Sequence, residues 1–97
     1  MNKADVGELL SRLDVIEELL RFPTDEARML RAVVLALSIA RAAPNPGARE
    51  LAMQVISEVN DLRRGGLSMK LNEGAFNKLV WRLWRLRWSL EEARRGQ

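Results

Sequence analysis

The chain contains no cysteine, no histidine and no tyrosine among its 97 residues. Without cysteine there is no disulfide bond, no thiolate nucleophile and no cysteine-ligated metal centre in this sequence. Without histidine, the commonest general base and the commonest transition-metal ligand are also missing. The glycine-rich motifs that bind phosphates and dinucleotides do not occur either. We therefore predict a protein that is not an enzyme, with no catalytic residue, no cofactor and no metal site.

Long apolar runs are also lacking. The longest, Ala32 to Ala40, is interrupted by Ser38 and is much shorter than the ~20 residues that a membrane-spanning helix needs. The first ten residues, MNKADVGELL, contain one basic residue and lead into an acidic amphipathic segment, unlike a signal peptide. We expect a cytoplasmic protein without a membrane partner.

Charge is unevenly distributed along the chain. Hydrophobic residues make up 47% and charged residues 30% of the sequence, which is typical of one folded globular domain. Residues 1–26 carry seven acidic and three basic residues, a net charge of −4, and the remainder carries 13 basic and six acidic residues, a net charge of +7. The acidic first segment and the basic last segment are expected to attract each other, either within one molecule or between two copies.

Apolar residues recur at helical spacing in four segments, which predicts four helices. We expect them at about residues 5–21, 25–42, 46–64 and 73–94. The first carries a single apolar stripe, made of Val6, Leu9, Leu13, Ile16 and Leu20. The second is apolar around most of its circumference, which is typical of a helix in the middle of a bundle or in an interface. Helices of this length with short links predict one all-α domain, residues 1–97, folded as an antiparallel four-helix bundle.

Capping residues indicate where the helices begin. Asp5 with Glu8 forms a capping pair for the first helix. Thr24 is expected to cap the second. Asn45 before Pro46 is expected to start the third, because proline lacks an N–H that the first helical position would leave unpaired anyway.

The last helix carries two apolar stripes. The stretch WRLWRLRWSL, residues 81–90, holds all three tryptophans of the chain. At about 100° per residue, the tryptophans lie almost opposite a second stripe, which consists of Phe76, Leu79, Leu83, Leu86 and Leu90. A helix on the outside of a bundle buries only one stripe in its own core. We assign the leucine stripe to the core and the tryptophans to a binding surface, since monomers rarely leave an apolar patch of a few hundred Å² uncovered.

We call Trp81, Trp84 and Trp88 the tryptophan face and predict that it binds a partner together with Arg82 and Arg85. Four interpretations remain open: tryptophans buried because the helix is central, a protein interface, stacking on nucleic-acid bases, and a membrane surface. Tryptophan and arginine are enriched at binding hot spots, so we favour the interface.

This pattern predicts a small helical interaction module, such as an adaptor, inhibitor or accessory subunit, that binds another protein or forms a homodimer. The alternative function is that of a small helical subunit contacting the nucleic-acid backbone within a larger ribonucleoprotein complex.

Further basic residues are candidate contacts for phosphates or for an acidic partner. They are Arg28, Arg31, Lys78 and Arg87. Each can equally be a solvated charge at the edge of an apolar surface, with the aliphatic part of its side chain covering apolar neighbours. The carboxylates Asp14, Glu17 and Glu18 are expected to form a solvated face, with Glu17 paired to Arg21 one helical turn later.

Overall fold

The computed structural model describes residues 5–21, 25–64 and 73–96. These residues form four α-helices and no strand: α1, Val6–Leu20; α2, Glu26–Ala42; α3, Pro46–Arg64; and α4, Glu73–Arg95. The predicted all-α fold is confirmed, and each helix begins and ends within one residue of its predicted position. Over the described residues, no helix has both the length and the apolar character needed to cross a membrane.

Each helix packs against two neighbours. In the described residues the backbone of α1 lies close to those of α2 and α4, and that of α3 lies close to those of α2 and α4, whereas the diagonal pairs α1–α3 and α2–α4 have no close backbone approach. Arg28 at the start of α2 donates to the Leu19 carbonyl at the end of α1 (3.1 Å), and Arg63 at the end of α3 donates to Glu26 at the start of α2 (3.0 Å). Consecutive helices therefore run in opposite directions, as in an up-and-down bundle.

The core is built from larger side chains on α1 and α4 and smaller ones on α2 and α3. The stripe predicted on α1 is buried, and Leu10 joins it. Alanines on α2 and α3, among them Ala36 and Ala52, are fully buried and let these two helices approach closely. No polar or charged residue of the described chain is buried, so apolar packing holds the bundle together.

The structure corrects two of the predicted caps. The Asp5 side chain accepts from the Gly7 amide (3.2 Å), but Glu8 pairs with Arg12 (3.1 Å) instead of completing the capping pair. The cap of α2 is Asp25, which accepts from the Ala27 amide (2.9 Å); the predicted cap, Thr24, lies outside the described residues. Asn45 caps α3 as predicted, accepting from the Ala48 amide (2.8 Å).

Helix α2 is not in the middle of the bundle. Within the part of the chain that the structure describes, it packs against α1 and α3 alone, and its outward surface carries Leu30, Val34 and Leu37, all exposed. We call these three residues the aliphatic stripe. Of the two positions that the sequence of α2 allows, the middle of the bundle is therefore wrong, because four helices in a square arrangement have no central member; a position in an interface stays a prediction.

Candidate protein-binding surface

Helix α4 separates its two stripes as predicted. Leu79, Leu83, Leu86 and Leu90 are buried, whereas Trp81, Trp84 and Trp88 are 55%, 55% and 54% exposed. The physical cause is the peripheral position of α4, which among the described helices packs closely against α1 and α3 alone. The interpretation of the tryptophans as core residues of a central helix is therefore wrong for the single chain. The side chain of Phe76, which was predicted in the leucine stripe, is not among the side chains that the structure describes.

The three tryptophans form a continuous stack along α4. The ring centroids of Trp81 and Trp84 are 5.3 Å apart with planes inclined by 25°, and those of Trp84 and Trp88 are 6.3 Å apart with an inclination of 24°. Residues three and four apart meet on a helix surface, which places each ring against the next. Each ring shields part of its neighbour, and about 400 Å² of aromatic surface remains exposed, taking ~250 Å² for a whole indole side chain.

Basic side chains flank the tryptophan face on the side of α3. Lys78 and Arg85 are exposed and form no ion pair with any residue of the described chain. Arg82 lies partly buried against α3, with its Nε 3.8 Å from a carboxylate oxygen of Glu58. Of the arginines predicted for the site, Arg85 is thus available to a partner, while Arg82 is turned towards α3.

The opposite flank, on the side of α1, is neutralised within the fold. Arg87 donates to Asp14 (2.6 Å) and to Glu17 (2.5 Å) across the contact between α1 and α4. Burial opposes the charged guanidinium, but the hydrogen bonds to Glu17 and Asp14 outweigh it and raise the pKa of Arg87 above its ordinary value. The predicted pair of Glu17 with Arg21 is wrong: Arg21 pairs with Glu18 at 3.4 Å. Glu17 faces α4, where Arg87 reaches it.

A small apolar pocket opens beside Trp84, between α1 and α4. Its volume is about 290 Å³. The lining combines side chains of both helices, namely Glu17, Leu20, Arg21, Leu79, Val80, Leu83 and Trp84. We call it the seam pocket. Sequence reasoning missed it because neither helix alone encodes a cavity; the available signal was Val80, an apolar residue that the helical spacing places between the leucine stripe and the tryptophans.

The remaining candidate arginines belong to α2. Arg28 donates to the carbonyls of Leu19 (3.1 Å) and Glu18 (2.9 Å), where the end of α1 leaves carbonyl oxygens without helical partners. Arg31 is exposed and has no ion pair within residues 5–21, 25–64 and 73–96. Because α2 is diagonal to α4, the four candidate phosphate contacts do not converge on one surface.

Comparison with known proteins finds no match: no family model, no curated protein and no solved structure resembles the chain closely enough to count as similar.

Proposed function

We propose that the protein is a helical interaction module, such as an adaptor, inhibitor or accessory subunit, that binds a protein through its tryptophan face. The observation that carries this proposal is the stack of three half-exposed tryptophans on the outer surface of α4. The core does not need these residues, because the leucine stripe already fills the contact with α1 and α3.

The organisation of the face supports binding. Rings that already stack lose little rotational freedom when a partner covers them, so less of the interaction free energy is spent on ordering side chains. Arg85 lies beside the stack without an ion pair in the described chain, available to a carboxylate or a carbonyl oxygen of a partner. Tryptophan and arginine are the residue types that contribute most at protein interfaces.

The charges near the face favour a protein over a nucleic acid. Binding to a phosphate backbone depends on several cations acting together. Here Arg87 is bound by two carboxylates and Arg82 lies near Glu58. This leaves Lys78 and Arg85 as the flanking cations without such a neighbour. In addition, the tryptophan rings already stack on one another, which reduces the ring surface open to a base.

Photo-cross-linking in the cells that make the protein tests this proposal. The photoreactive amino acid p-benzoylphenylalanine is placed at Arg85, beside the tryptophan face, and as a matched control at the exposed Ser57 on α3. We expect an adduct containing a second polypeptide from position 85 and none from position 57. An adduct with nucleic acid alone, or no adduct at position 85, would contradict the proposal.

A further inference from the structure

We draw no further inference here: the strongest candidate, the exposed tryptophan face of α4 with the seam pocket at its edge, belongs to the site already described, and nothing in the structure shows what covers it.

Discussion

Two exposed apolar surfaces lie at diagonal positions of this bundle, the tryptophan face on α4 and the aliphatic stripe on α2. Both consist of apolar residues beyond those that the core requires. On α4 they are large rings stacked on each other, with a pocket at one edge and Arg85 at the other. On α2 they are a valine and two leucines, of which Val34 is 66% exposed.

The difference teaches that the amount of exposed apolar surface does not identify a binding site. Scattered exposed leucine and valine are ordinary on soluble proteins, and both residue types are under-represented among binding hot spots. Organisation distinguishes the two surfaces: preordered rings and an adjacent cavity occur together on α4, whereas an exposed arginine without an ion pair in the described chain occurs on both helices, Arg85 on α4 and Arg31 on α2. We therefore expect substitutions on α4 and on α2 to differ in their effect on association, and both to differ from substitutions in the core.

The largest effect on stability is expected inside the bundle, on the opposite side of α4 from the tryptophans. Leu83 is 5% exposed, and Leu83→Ala should lower the free energy of unfolding by about 2 to 5 kcal/mol because it leaves a cavity. Trp84→Ser, one residue later, should cost about 1 kcal/mol or less, since it removes two neighbour contacts on a helix surface.

Urea unfolding followed by circular dichroism compares these two variants. The measurements are repeated at several protein concentrations, because a dimer couples association to unfolding. A larger loss for Trp84→Ser than for Leu83→Ala at low concentration would mean that the tryptophans support the fold of the single chain, and the separation of α4 into a core stripe and a binding face would then be wrong.

A smaller difference in stability is expected between substitutions of the two arginines that flank the tryptophan face. Arg87→Ala removes the link between α4 and both Asp14 and Glu17 and should lower the free energy of unfolding by about 1 kcal/mol, as expected for a partly exposed ion pair. Arg85→Ala removes a side chain with no ion pair in the described chain and should leave stability unchanged while weakening association. Thermal melts measure the stability of each variant, and sedimentation measures its association. Equal losses of stability would contradict the assignment of Arg87 to the fold and of Arg85 to the partner.

Local signals made most of the fold predictable. The helical spacing of apolar residues located the four helices, and Asp5 and Asn45 marked two of the starts because capping depends on residues only a few positions apart. The angular separation of leucines and tryptophans on α4 also follows from one helix alone. Their exposure then required only that α4 be peripheral.

Contacts between helices were not predictable in the same way. The partner of Glu17 is Arg87, which lies 70 residues away in the sequence, and the nearby Arg21 was the more obvious candidate. Arg28 pairs with carbonyls at the end of α1, a role that depends on the path of the chain between the two helices. The seam pocket likewise exists only where α1 meets α4. Each of these features depends on which helices become neighbours and in what register.

The smallest effect is expected on the aliphatic stripe. Val34→Ser replaces the most exposed apolar side chain of α2, and surface substitutions of this kind change the free energy of unfolding by about 0.5 kcal/mol or less. Its β-branched side chain also has no helix-propensity advantage over serine. Stability, measured by urea unfolding, and association, measured by sedimentation, should both stay at their wild-type values. A loss of association with retained stability would show that α2 also binds a partner, and residue type and organisation would then fail to distinguish the two surfaces.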